Sequence, residues 1–273
     1  MLKLHVLASG SKGNAAVVEN AATGAGVLID CGICKRDFLT RCDEAGFNPA
    51  RIETVVITHE HSDHVKGLGV VMRGLAKLGN APTVHANEAC VRNSVPLRDL
   101  AETAPIASLS ADEPIEASGI RLTPFATSHD AAASFGFRIE DVADGDAIGF
   151  LTDSGVVTPS AHAALVGVRI LALESNHDEA MLETGPYPFP IKRRIASDRG
   201  HLSNPQAAEE LASLVGASRE AGLREPETVV AMHISQTNND YVLPRRTLEG
   251  ALAETGCTAR VLCGYQSRLT SVA

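Results

Sequence analysis

The chain has 273 residues, 44% of them apolar, enough to bury a full core in one large domain or two small ones, which excludes a disordered or fibrous protein. With 24 Lys and Arg against 33 Asp and Glu, the formal charge is 24 − 33 = −9, which argues against a general electrostatic grip on nucleic acid but leaves room for a local basic patch. No apolar run reaches the roughly 18 to 20 residues needed to span a bilayer, and the opening MLKLHVLASGSKGN breaks into glycine and polar residues before a signal-peptide core forms, so the expected location is cytoplasmic.

In chain order, residues 2–7 alternate weakly and predict a strand, followed by the turn Ser9-Gly-Ser-Lys-Gly-Asn14 and strands over 15–19 and 26–30. A helix is expected over 32–45, a buried strand over 53–57 and a glycine-bearing helix over 65–78. Short strands follow over 82–85, 119–126, 134–139 and 147–152, the last two joined by the turn signal Asp144-Gly-Asp146. The second half continues with helix 159–165, strand 169–173, helix 204–221, strand 228–232, helix 244–254 and strand 258–262. Hairpin strands mixed with strand–helix units predict an α/β fold of two sheets face to face with helices outside, in a single domain over 1–273. The six cysteines include one C-x-x-C, Cys31 to Cys34, which lacks the second pair a structural zinc site needs and is read as buried thiols at a strand end and helix start.

The strand over 53–57 runs into Thr58-His-Glu-His-Ser-Asp-His64, where four residues can hold a transition metal. Alternate side chains of an extended segment face the same way, so His59 and His61 can reach one metal while Glu60 points elsewhere. After the turn, Asp63 and His64 can serve a second. Three further candidates follow predicted strands: His129 in Thr127-Ser-His-Asp130, Asp153 in Thr152-Asp-Ser-Gly155, and His233 in Ala231-Met-His-Ile-Ser235. Mixed imidazole and carboxylate ligation suits zinc, manganese or iron better than calcium or magnesium.

The run His59-Glu-His-Ser-Asp-His64 resembles the H-x-H-x-D-H signature of the metallo-β-lactamase fold, an αββα sandwich, and the resemblance extends nearly end to end. It implies that His59, His61 and His129 hold one divalent ion, that Asp63, His64 and His233 hold a second, and that Asp153 bridges both. Within the fold, the 23 residues between His129 and Asp153 leave no room for a tRNA-binding arm, and the 79 between Asp153 and His233 leave none for a β-CASP insert. His61 stands where the oxygen-reducing branch has glutamate, which favours hydrolysis.

Glu174 in Leu171-Ala-Leu-Glu-Ser-Asn-His-Asp178 and His201 in Gly200-His-Leu-Ser-Asn204 resemble the Glu and His pair thought to handle the leaving-group proton in tRNA-processing relatives. These segments, with Leu7-Ala-Ser-Gly-Ser-Lys-Gly-Asn14 and Tyr187-Pro-Phe-Pro-Ile-Lys-Arg-Arg-Ile195, are most similar to the bacterial YycJ/WalJ group. That similarity implies a 5′ to 3′ exonuclease on duplex DNA, linked to repair, with Asp63, His201 and Glu174 in the catalytic machinery. Lys192, Arg193 and Arg194, together with Arg199, form a basic run suited to phosphate, and Ser11, Asn14 and His177 are further candidates for substrate contact. Two alternatives remain at this stage: a small-molecule phosphodiesterase acting on cyclic ribose phosphates, and a non-catalytic regulatory module that kept the fold.

Overall fold

Short apolar runs alternate with helices in a way that builds two similar halves, and the computed structural model describes residues 1–273. In the first half, β1 (Leu2–Ala8), β2 (Ala15–Asn20) and β3 (Gly26–Ile29) form an antiparallel meander. Helix α1 (Lys35–Glu44) then returns the chain to β4 (Ile52–Val56), parallel to β3. Helices α2 (Ser62–Val65) and α3 (Leu68–Lys77) lead to β5 (Thr83–Ala86), and α4 (Glu88–Asn93) and α5 (Val95–Ala101) lead to β6 (Ile106–Ser108), both strands again parallel to their predecessors.

The second half repeats the scheme. Strands β7 (Ile115–Ala117), β8 (Ile120–Ala126), β9 (Phe135–Asp141) and β10 (Ala147–Leu151) make a meander. Helix α6 (Pro159–Leu165) brings in β11 (Ile170–Glu174) parallel to β10. Helices α7 (Glu179–Thr184), α8 (Phe189–Ile195) and α9 (Asn204–Glu220) precede β12 (Thr228–Met232), α10 (Leu243–Thr255) precedes β13 (Arg260–Cys263), and β14 (Thr270–Val272) crosses back to pair with β1.

The result is two mixed seven-stranded sheets, ordered β14-β1-β2-β3-β4-β5-β6 and β13-β12-β11-β10-β9-β8-β7. Between them lies a core holding Leu4, Val27, Phe137, Ile148 and Val230. A second core, with Phe38, Leu68 and Leu97, seals α1, α3 and α5 onto the outer face of the first sheet. A third, with Leu165, Leu211 and Leu248, seals α6, α9 and α10 onto the second. This four-layer arrangement is the expected αββα sandwich. The strands β11 and β12 are buried along their whole length, as strands covered on both faces must be.

Strand direction decides where the chemistry can sit. Strands β1, β3 and β4 run the same way in one sheet, and β8, β10, β11 and β12 run the same way in the other. The Ser9–Asn14 turn, the His59–His64 run, His129, Asp153 and His233 each follow the carboxyl end of one of these strands and Glu174 closes another, so they open onto one edge of the sandwich, where ligands bind in open α/β sheets.

Most predicted elements are present with shifted ends, and 159–165 and 228–232 coincide with α6 and β12. The helix expected over 65–78 instead starts at Ser62 and breaks before Leu68. Cβ atoms at Gly32 and Gly67 would overlap the carbonyl oxygens of Asp63 and Ile33, so the Cys31 to Cys34 segment packs directly beneath the metal-motif turn. Cys31 is buried there as expected, but Cys34, at the N-terminal cap of α1, is exposed rather than buried, and all six cysteines are free thiols.

At the opposite edge a buried ion pair ties the halves together. The Arg169 guanidinium donates to both oxygens of Asp146, at 2.7 and 2.8 Å, and to the carbonyl oxygens of Leu2 and Ala273. Asp146 also accepts the Leu2 amide at 2.7 Å. Removing one partner of such a pair leaves an uncompensated buried charge, so Asp146→Ala is expected to lower unfolding stability by about 3 to 5 kcal/mol in urea titration. A loss under about 1 kcal/mol would show that Arg169 finds water instead.

Candidate metal centre

Three of the site's residues follow their strands in the left-handed backbone region: Asp30 (φ 57°), Asp153 (φ 53°) and His233 (φ 51°). Only two other non-glycine residues in the chain have positive φ, so the unfavourable conformation is concentrated where side chains must turn into the cleft. Local hydrogen bonds hold these turns. The Ser9 hydroxyl accepts the His233 amide at 2.7 Å, and Asp30 accepts the Thr58 amide at 2.8 Å.

One set of donors is entirely imidazole. The ligating atoms of His59, His61 and His129 lie within 4.8 Å of one another, and His129 Nε2 is 3.3 Å from His61 Nδ1. His129 Nδ1 is turned toward the Gly200 carbonyl at 3.0 Å, which directs Nε2 into the site. His59 is 1% exposed, and its buried Nε2 has no hydrogen-bond partner in the protein. An orphaned nitrogen among two further imidazoles fits a cation and little else. Burial and the neighbouring imidazoles push the His59 pKa well below its ordinary value, and burial likewise lowers that of His129.

The adjoining set is rich in carboxylate. His64 Nε2 lies 3.3 Å from Asp153 Oδ2 and 3.5 Å from Asp63 Oδ2. His233 Nε2 is 3.9 Å from Asp63 Oδ2, and its Nδ1 is 2.7 Å from Asp153 Oδ1. Asp153 also lies 3.9 Å from His129 Nε2, so it stands between the two sets. Burial opposes charge on His64 and His233, but the neighbouring carboxylates outweigh it and raise both pKa values, that of His233 to about 9. Burial would raise the Asp153 pKa, yet His233 and His64 hold it well below the carboxylate range. The donor chemistry of both sets fits divalent metal.

Glu174 is fully buried rather than a solvated strand-end charge. One oxygen accepts the amides of Ser154 and Leu202, and the other lies 2.7 Å from His201 Nδ1. This fixes the His201 ring beside the metal set, 3.6 Å from Asp153, with Nε2 directed away from Glu174.

Other sequence expectations need correction. Asn14 is 6% exposed and is engaged within the protein: its carbonyl oxygen accepts the Gly10 amide, and its amide group sits 3.2 Å from Asp63 and 3.0 Å from His64. Ser11 remains exposed at the tip of that turn. The basic run is a helix, α8, and not an open cationic track. Arg194 pairs with Asp130 at 2.7 Å, Arg199 donates to the His129 carbonyl, and Lys192 donates to the Glu183 carbonyl. Two of the four cations therefore brace the His129 loop, which Glu60 also braces by accepting the Ala132 amide at 2.7 Å. His177 is buried, its Nδ1 unpartnered, beside a cavity that Lys192 and Arg193 also line.

Sequence reasoning missed Asp30. Its carboxylate is 1% exposed and lies 2.7 Å from both His64 Nδ1 and the Thr58 hydroxyl. An acid closing the apolar run Gly26-Val-Leu-Ile29 was the available signal, since a carboxylate at such a position has to be paired. Because Asp30 sets the orientation of His64, Asp30→Asn is expected to weaken metal affinity about 10- to 100-fold in chelator competition, and unchanged affinity would refute the positioning role.

Comparison with known proteins agrees with this geometry. Residues 26–234 match the family described as the β-lactamase superfamily domain. The chain is 32% identical over 257 residues to the exodeoxyribonuclease YycJ of Bacillus anthracis, covering 93% of this chain and 90% of that protein. It is 30% identical over 254 residues to the exodeoxyribonuclease WalJ of Streptococcus pneumoniae, covering 92% and 88%. Among solved structures, the metallo-β-lactamase fold protein YhfI from Bacillus subtilis superposes with a TM-score of 0.70 at 16% identity, over 99% of both chains. With its two face-to-face sheets and its cluster of histidines and aspartates at one edge, the chain belongs to the β-lactamase superfamily and is a metal-dependent hydrolase of the metallo-β-lactamase fold.

Proposed function

We propose that the protein is a cytoplasmic exonuclease that removes nucleotides from the 5′ end of duplex DNA, in the service of repair. The observation that carries this reading is the buried Glu174–His201 pair at 2.7 Å, set 3.6 Å from Asp153 at the metal ligands. It supplies a positioned proton donor next to a site suited to hydrolysis, which a phosphodiester with a poor leaving oxygen requires. The two exodeoxyribonucleases that the chain resembles over most of its length support the choice of DNA.

In this reading His59, His61 and His129 would hold one ion and Asp63, His64 and His233 a second, with Asp153 placed between the two sets. Two bound zinc or manganese ions would supply Lewis acidity toward a phosphoryl oxygen and a nucleophile available near neutral pH. The protein's own part is placement and proton handling. Asp63 and Asp153 keep the ligand sets in register. His201, its Nδ1 held by Glu174, donates from Nε2 to the departing oxygen, and Glu174 steadies the resulting change in ring charge.

Duplex DNA labelled at one 5′ end, incubated with protein stripped of metal and reloaded with manganese or zinc, should release labelled mononucleotide as the first product. Asp63→Ala should abolish that release. Failure to cut DNA or RNA, together with turnover of a small activated phosphodiester, would move the assignment to the small-molecule phosphodiesterases of the fold. His201→Ala should lose about 10²- to 10⁴-fold in turnover with its metal content intact. Normal turnover in that metal-replete variant would remove His201 from the mechanism.

A further inference from the structure

Behind the Glu174–His201 pair, α7, α8 and the first turn of α9 enclose a cavity of about 590 Å³, within the range of small-ligand sites. It abuts the segment that carries His201: His177 pairs with Ser203 as an isolated bridge, and the His177 carbonyl accepts the Asn204 amide at 2.8 Å. Its lining sets Phe189, Lys192, Arg193, Gln206 and His177 beside two carboxylates, Glu183 and Glu179, the latter already accepting the Ser203 hydroxyl at 2.9 Å.

Three features there are unexplained by folding. Phe189 is 72% exposed, more than any other large hydrophobic residue in the chain, although it opens a helix whose Ile195 is buried. His177 is 2% exposed, yet its Nδ1 has no partner in the protein, which leaves a buried polar atom uncompensated. Arg193, unlike Lys192 and Arg194 on either side, is engaged by no group of the protein. A flat apolar face, an unsatisfied imidazole and a free guanidinium around one cavity match the three parts of a nucleotide, namely the π-face of a base, its polar edge and a phosphate.

We propose that this cavity binds the terminal nucleotide of the strand being degraded, with its base stacked on Phe189, its edge met by His177 and its phosphate held by Arg193. The proposal rests on the nuclease reading for the identity of the ligand, and it gives that reading a reason to act at strand ends. The pocket opens to solvent next to the segment that carries His201, and its volume suits one splayed nucleotide.

The test compares binding of deoxyadenosine 5′-monophosphate with binding of deoxyribose 5-phosphate, which keeps the phosphate but lacks the base, using metal-loaded protein in calorimetric titration. Stacking predicts that the base improves affinity on the order of tenfold or more. Phe189→Ala should erase that advantage and Phe189→Tyr should keep it. Phe189 lies outside the core, so truncation leaves the fold intact. Equal affinity for the two probes, or a base advantage that survives Phe189→Ala, overturns the proposal. Digestion of end-labelled duplex is measured in parallel. A base advantage lost in Phe189→Ala without any DNA cleavage would uphold the pocket and defeat the nuclease reading, whereas DNA cleavage with no base advantage would do the reverse.

Discussion

The site depends on one buried imidazole held between carboxylates from opposite sheets. His64 is fully buried, with Asp30 from the end of β3 at 2.7 Å and Asp153 from beyond β10 at 3.3 Å. Each of these charges would cost several kcal/mol to bury alone, so each is tolerable only while the others stay in place. The two sheets are thereby locked in register at the edge where the chemistry is, and the strained turns at Asp30, Asp153 and His233 are the backbone's cost of that lock.

The same arrangement divides the histidines by charge. His64 and His233 face carboxylates and have raised pKa values, whereas His59 and His129 face other imidazoles and have lowered ones. One half of the centre is built from imidazole nitrogens alone and the other from mixed nitrogen and oxygen donors.

Much of this was legible in the sequence because both sides of it are local. An apolar run of four or five residues followed within a residue or two by His or Asp signals a strand end turned into a functional loop, and this pattern located His59, Asp153 and His233. The illegible parts depend on partners distant in the chain. Asp30 acquires its role from His64, 34 residues on, and Arg194 is neutralised by Asp130, 64 residues back. Local charge counting therefore saw a cationic track where the fold has a brace. Helices α4, α5, α7 and α8 went unpredicted because six or seven residues complete too few turns to show a period, and β6, β7 and β14 have only three residues each.

That brace bears on how His201 is held. The loop between α8 and α9 is tied to the strand-end loops of its own sheet by the Ser128 hydroxyl, which donates to the Asp198 carbonyl at 2.7 Å, and by Arg199, which grips the His129 carbonyl. His129 in turn points Nδ1 at the carbonyl of Gly200, the residue before His201. His129 and His201 thus hang on the same short stretch of backbone, and Glu174 anchors the His201 side of it through the His201 ring and the Leu202 amide. A shift in this loop that moves His201 also strains the contacts that hold His129, and the cations that looked like a substrate track, Arg194 and Arg199, are part of those contacts.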